Sequence, residues 1–172
     1  HPTQGLIEPD HFIPLAEQQR LIVPIGHWVL REAALAARRW RDGGRAVPVA
    51  VNLSALQLRE SDFADSVAEV LREAGIPGHA LEVEITERML MDDLDAVRGT
   101  LERLRARGIR IAVDDFGTGY TSLARLKDLA VDRLKIDRSF IKDLPGDRGS
   151  AAITDAIIRM ARGLELDVVA EG

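Results

Sequence analysis

Short apolar runs alternate with longer amphipathic stretches along the whole chain. The short runs have the length and the bounding turn residues of β-strands, and the longer stretches repeat their apolar residues at helical spacing. Strands are predicted over 47–54, 81–86, 109–113, 133–137 and 167–170. Helices are predicted over 24–41, 61–74, 94–107, 121–129 and 150–164. Strands that alternate with helices pair in parallel, so the pattern predicts an α/β fold.

Within each predicted strand, every second position is aliphatic. These positions are Val49, Val51 and Leu53; Leu81, Val83 and Ile85; Ile109, Ile111 and Val113; Leu134 and Ile136; Val168 and Ala170. The positions between them are small or polar. Because successive side chains of a strand point to opposite faces, one face of the sheet packs on helices and the other lines a polar interior. An open doubly wound sheet, apolar on both faces, is the alternative, but a closed parallel barrel fits the alternation better.

Polar side chains stand at the ends of successive predicted strands. They are Asn52, Glu84, Asp114, Asp115, Lys135 and Glu171. In a parallel barrel these ends meet at one rim, so the side chains converge there. Carboxylates held within a few ångströms of one another raise each other's pKa, and bound cations relieve this repulsion. Mg²⁺ and Mn²⁺ prefer carboxylate and amide oxygens, and the adjacent Asp114 and Asp115 suit two metal ions that share a ligand.

A single acidic residue at a strand end is usually a loop cap, an ion-pair partner or a helix cap, so the prediction depends on the set. Lys135 lies among these acids, where it either neutralises charge or orients an attacking water. The segment 115–120 follows the two aspartates directly and contains Gly117 and Gly119. These glycines form an ordinary turn or allow the backbone to approach a ligand or metal closely.

Composition narrows the classes of function. The 172 residues are 46% apolar and 30% charged, as is typical of one soluble globular domain, and no Pro-, Gly- or Ser-rich linker divides them. The net charge of -5 gives no general attraction to nucleic acid polymers or anionic lipid. The absence of cysteine excludes disulfides and thiolate chemistry. No apolar run reaches the ~20 residues of a membrane span, so a cytoplasmic location is expected, with membrane tethering of a longer parent left open.

Histidine and tryptophan add no chemistry to this picture. His1, His11, His27 and His79 are scattered without ligand spacing and are interpreted as structural or surface residues. Trp28 and Trp40 lie on a predicted helix and are interpreted as packing residues rather than as platforms for base stacking.

Six segments of the sequence carry a family resemblance through their order and spacing. They are HPTQGLIEPDHFIPLAE, VNLSALQL, LEVEITE, DDFGTGYTSL, LKIDRSFI and VVAEG. With these segments the chain resembles the EAL domain family of bacterial cyclic di-GMP phosphodiesterases over its whole length. The resemblance implies a TIM-like (β/α)8 barrel, partial in this chain, that cleaves one phosphodiester of cyclic di-GMP and gives linear pGpG.

The resemblance also implies roles for particular residues. Those that match metal ligands of a two-ion Mg²⁺ or Mn²⁺ site are Asn52, Glu84, Asp114, Asp115 and Glu171. Lys135 matches the lysine near the nucleophilic water. Glu87 matches the glutamate that holds the loop after the two aspartates, which is a supporting role. Asp137 has at most a place in the wall of the site.

The name-giving Glu-Ala-Leu of the family would stand before His1, and the last strand and helix units would follow Gly172. We therefore expect a truncated domain. Residues 1–172 alone should be poorly stable and inactive, because sheet edges are exposed and a carboxylate ligand is missing.

The implied partners are cyclic di-GMP, a second copy in a homodimer, and GGDEF or sensory domains fused in the parent. Two alternatives to an active phosphodiesterase remain. One is a catalytically inactive EAL domain that binds cyclic di-GMP as a receptor. The other is an unrelated metal-dependent barrel enzyme.

Overall fold

The computed structural model of the chain describes residues 1–3, 5–92, 94–119, 126–127 and 129–171. Its strands are β1 (Val49–Asn52), β2 (Leu81–Thr86), β3 (Arg110–Phe116), β4 (Arg133–Ile136) and β5 (Asp167–Ala170). They form one sheet in the order β1-β2-β3-β4-β5, and every neighbouring pair is parallel. The predicted parallel α/β architecture is therefore confirmed.

Helices precede the first strand and connect the strands that follow it. They are α1 (Pro9–Gln18), α2 (Ile22–Asp42), α3 (Ala55–Leu58), α4 (Phe63–Ala74), α5 (Glu87–Asp92), α6 (Leu94–Arg105), α7 (Arg138–Ile141) and α8 (Arg148–Gly163), with a 3-10 turn at Gly78–Ala80. The sequence pattern missed α1, α3, α5 and α7. The last three are too short to show a helical period, and α1 contains Pro14. The helix predicted over 121–129 falls largely outside the described residues.

The core lies between the sheet and its helices. The aliphatic positions of the central strands are fully buried, including Leu81, Val83, Ile111 and Leu134. They pack in one cluster with buried side chains of α2, α4 and α6, among them Leu30, Phe63, Val67, Leu101 and Leu104. The opposite face of the sheet carries the polar residues, as the alternation predicted. Burial of one face thus leaves the other free to hold charged groups.

The interpretation of the two tryptophans as packing residues is wrong. Trp28 is 64% exposed and Trp40 is 46% exposed, although both lie on α2. The buried face of α2 is formed instead by small and aliphatic residues such as Gly26, Leu30 and Ala34. Among the described helices, none combines the length and apolar character that a membrane span requires.

Candidate metal centre

Lys135 lies at the centre of the polar face, surrounded by carboxylates from three other strands. Its Nζ is 2.9 Å from Oε1 of Glu84 and 3.1 Å from Oδ2 of Asp114. It is 2.6 Å from Oε1 of Glu171, the residue that follows β5. The Lys135 side chain is only 12% exposed, so these contacts are partly shielded from water. The strand ends predicted from sequence therefore do converge.

A β-bulge explains how both aspartates face the same site. Val113 pairs with Leu134 and Phe116 pairs with Ile136, so two residues of β3 lie opposite Lys135 alone. A regular strand would point the second aspartate to the helix-covered face. The extra residue, together with a φ of 54° at Asp115, turns its side chain back towards the site.

Three carboxylates then lie close enough to bind one cation. One oxygen each from Asp114, Asp115 and Glu171 falls within 4.8 Å of the other two. Glu84 adds a fourth carboxylate, because it contacts Lys135, which also contacts Asp114 and Glu171. These are hard oxygen donors, which suit a divalent ion such as Mg²⁺ or Mn²⁺. The residues present thus fit a divalent metal, and an acidic cluster able to hold one is present.

The electrostatics of the cluster favour added positive charge. Partial burial raises the pKa of the Asp115 carboxyl, and the neighbouring Asp114, Asp137 and Glu171 raise it further. Burial works against the Lys135 ammonium, but its hydrogen bonds to Glu171 and the other carboxylates outweigh that effect and raise its pKa above the ordinary value. One lysine therefore only partly compensates the surrounding acids.

Asn52 and Asp137 lie at the margins of the cluster. Asn52 ends β1, pairs in register with Glu84 and has an exposed side chain. Asp137 follows β4 and lies close enough to Asp115 to raise the pKa of that carboxyl. It also accepts a hydrogen bond of 2.8 Å from the Ser139 amide at the start of α7. The Ser139 side chain and, after it, this amide lower the pKa of Asp137. Asp137 therefore links the wall of the site to a helix start.

Glu87 holds the loop that follows the aspartates. Its Oε2 accepts hydrogen bonds from the amides of Gly117, at 2.8 Å, and Gly119, at 3.2 Å, and Glu87 itself is 2% exposed. Gly117 has a φ of 104°, and a Cβ there would lie 2.9 Å from the ring of Phe140. A Cβ at Gly119 would lie 2.9 Å from Oε1 of Glu87. The positive φ and the Phe140 ring therefore favour glycine at Gly117, whereas a side chain at Gly119 would displace the Glu87 carboxylate. The remainder of the loop, 120–125, lies outside the described residues.

We expect Glu87→Ala to loosen this loop. The amides of Gly117 and Gly119 would lose a buried acceptor, which exposes them to exchange and moves Asp115 away from its neighbours. Hydrogen exchange at the two glycine amides should become faster in the variant. Glu102→Ala, on the exposed side of α6, is the matched control. Unchanged exchange at both glycines would contradict the role.

One ion pair of the polar face was not predicted from the sequence. Arg133 Nη1 lies 2.8 Å from both carboxylate oxygens of Glu82, one layer below the site. Glu82 occupies one of the polar positions between the aliphatic residues of β2, and Arg133 has the same parity as Lys135. The alternation of side chains along β4 places Arg133 on the same face as Lys135, so its orientation could have been predicted. The pairing itself could not be predicted, because β3 separates the two strands.

The fold and site together define an α/β domain with an acidic centre at the ends of parallel strands. Comparison with known proteins identifies the family to which this domain belongs. The model of the EAL domain family matches residues 1–172, and the chain belongs to that family. The family resemblance inferred from the six sequence segments is therefore confirmed.

Named relatives show how much of a longer protein the chain matches. It is 50% identical over 173 residues to the bifunctional diguanylate cyclase/cyclic di-GMP phosphodiesterase MucR of Pseudomonas aeruginosa, covering 100% of this chain and 25% of that protein. It is 47% identical over 173 residues to the cyclic di-GMP phosphodiesterase NbdA of the same species, covering 100% of this chain and 22% of NbdA. The chain thus spans about a quarter of the length of these relatives.

A solved structure supports the fold. The MucR phosphodiesterase in complex with c-di-GMP superposes with a TM-score of 0.94 at 50% identity, covering 100% of this chain and 70% of that one. The predicted TIM-like fold of the EAL type is confirmed by this likeness. The five described strands form an open parallel sheet, which corresponds to part of such a barrel.

Proposed function

We propose that this chain carries the central part of a phosphodiesterase site that hydrolyses cyclic di-GMP to linear pGpG with Mg²⁺ or Mn²⁺. The observation that carries the proposal is the convergence of Glu84, Asp114 and Glu171 on Lys135, with Asp115 turned into the same site by the bulge. The 50% identity to MucR supports the choice of substrate.

The proposed metal ligands are the oxygen donors of the site. They are Asn52, Glu84, Asp114, Asp115 and Glu171. When bound, two divalent ions would polarise the phosphoryl oxygen and lower the pKa of the attacking water. Two ions are favoured because Asp114 and Asp115 are adjacent and both face the site.

Lys135 would orient the attacking water and stabilise developing negative charge. As an ammonium it donates hydrogen bonds, and its three carboxylate contacts hold it in place. A preorganised cation in a partly shielded site stabilises a transition state more than a mobile one in water. Glu87 would act indirectly, by holding the loop that carries Gly117 and Gly119.

Hydrolysis assays on the full-length protein test the proposal. Cyclic di-GMP incubated with the protein and Mn²⁺ or Mg²⁺ should be converted to pGpG, as followed by chromatography. A chelator should abolish turnover, and added Mn²⁺ should restore it. Ca²⁺ should block it, because this larger ion prefers longer bonds and more ligands.

The outcomes separate the proposal from its alternatives. Tight binding of cyclic di-GMP without hydrolysis, at any Mn²⁺ concentration, would identify a receptor domain instead. If the protein shows no binding and no hydrolysis of cyclic di-GMP, both the phosphodiesterase and the receptor hypotheses are contradicted. A different metal-dependent reaction is then favoured. Hydrolysis that continues in the presence of a chelator would contradict the proposed role of the metal.

The remaining predictions concern the whole protein. The homodimer, the fused GGDEF or sensory domains and the cytoplasmic location stay predictions. The greater length of MucR and NbdA supports fusion to further domains. Light scattering on the purified full-length protein would test the dimer by its mass.

A further inference from the structure

A second ion pair lies on the polar face, one layer below the candidate metal centre. Glu82 on β2 is 5% exposed, and both of its oxygens accept from Arg133 on β4. Arg133 also lies 3.5 Å from Asp167 at the start of β5. A carboxylate as buried as Glu82 must be paired, because an isolated buried charge is strongly unfavourable.

This pair repeats the contacts of Lys135 on the same strands. Lys135 contacts Glu84 on β2 and Glu171 after β5. Arg133 stands two residues before Lys135 on β4, and its partner Glu82 stands two residues before Glu84 on β2. Each cation on β4 therefore contacts an acid on β2 and an acid at one end of β5. The two sets of contacts lie in consecutive layers of the polar face.

The strand between β2 and β4 makes this link possible. β3 separates β2 from β4. Ala112 on β3 pairs with Arg133 and with Glu84, while Glu82 pairs with Arg110, so the arginine reaches Glu82 diagonally across β3 beside Ala112. The methyl group of Ala112 leaves room for the arginine to cross above the strand. A larger side chain there would separate Glu82 from Arg133.

The bulge in β3 creates the need for such a link. The regular pairing of β3 with β4 is interrupted between Val113 and Phe116, which is where Lys135 must meet Asp114. Backbone hydrogen bonds hold β4 to β3 on either side of the bulge and to β5, but none of the described register pairs joins Lys135 itself to β3. A side-chain contact between β2 and β4 directly below the bulge restricts the position of β4 there.

We infer that Arg133 is a positioning residue, which through Glu82 holds β4 against β2 so that Lys135 and the proposed metal ligands meet. This inference rests on the proposed function for its activity readout. Its second readout, the affinity for Mn²⁺ alone, does not depend on hydrolysis. Partners that orient ligand groups in this way contribute substantially to metal affinity and rate.

The test compares four variants in the full-length protein, the fourth of which is Arg133→Lys. Arg133→Met removes the cation and leaves Glu82 unpaired. Glu82→Gln/Arg133→Met removes both charges, so that the unpaired buried carboxylate is gone and thermal stability should return towards that of the wild type. Arg159→Met is the matched control, because Arg159 pairs with Asp155 on the exposed face of α8.

Positioning and simple charge balance predict different results. If Arg133 positions the site, kcat and Mn²⁺ affinity should each fall about 10- to 100-fold in both variants that carry Arg133→Met, with little change in KM. The double variant should show this loss despite its recovered stability. Arg133→Lys should recover part of the loss, because it retains the charge without contacting both oxygens of Glu82.

Either of two results would overturn the inference. One is wild-type kcat and Mn²⁺ affinity in the double variant, which would show that the pair only balances charge. The other is unchanged Mn²⁺ affinity in Arg133→Met. If the wild type binds Mn²⁺ but does not hydrolyse cyclic di-GMP, the proposed function fails, and the Mn²⁺ affinities of the variants still decide the role of Arg133.

Discussion

Lys135→Met is expected to reduce hydrolysis of cyclic di-GMP about 100- to 1,000-fold, because the site loses its only preorganised cation among the described residues that contact the cluster. Binding of Mn²⁺ should be retained or become tighter. The removed ammonium occupies the centre of Glu84, Asp114 and Glu171, and a positive charge there opposes the entry of another cation. Activity should therefore fall while the affinity for Mn²⁺ stays the same or rises.

Steady-state kinetics and Mn²⁺ titration calorimetry on the full-length protein measure the two effects. Lys142→Met, an exposed lysine at the end of α7, is the matched control and should alter neither quantity. A large loss of Mn²⁺ affinity in Lys135→Met would contradict the assigned role, because it would mean that the lysine mainly maintains the structure of the site.

Asp114→Asn is expected to lower both the rate of hydrolysis and the affinity for Mn²⁺. The substitution preserves the shape of the side chain but removes one of the three mutually close carboxylates. It also replaces an acceptor of the Lys135 ammonium with a group that can present a donor. We expect Mn²⁺ affinity and kcat each to fall by about 100-fold or more, at least as much as for loss of a group that merely orients a ligand.

The same titration and assay test Asp114→Asn. Asp155→Asn provides the control, because Asp155 is an exposed acid of α8 that pairs with Arg159. Mn²⁺ affinity equal to that of the wild type would remove Asp114 from the ligand set. Together, Lys135→Met and Asp114→Asn distinguish a residue that binds the metal from a cation that acts on the reaction.

The local pattern of residues was enough to predict the strands, their parallel pairing and the face of each strand that is buried. These properties are local, because strand length and the alternation of aliphatic residues such as Val83 and Ile111 depend on neighbouring positions in the chain. The alternation also identified the polar face, and the strand ends identified Glu84, Asp114 and Lys135 as members of one site. Resemblance to a family then supplied the expected chemistry.

The direction of the Asp115 side chain and the partner of Glu82, by contrast, depend on the tertiary structure. Strict alternation would point Asp115 away from the site, and the bulge opposite Lys135 reverses that direction. The contact between Glu82 and Arg133 crosses an intervening strand, so it depends on the stagger of three strands and on the small size of Ala112. The physical reason is the same in both cases. Register between strands that are distant in sequence is established by packing and pairing in three dimensions, and no local pattern in the chain encodes it.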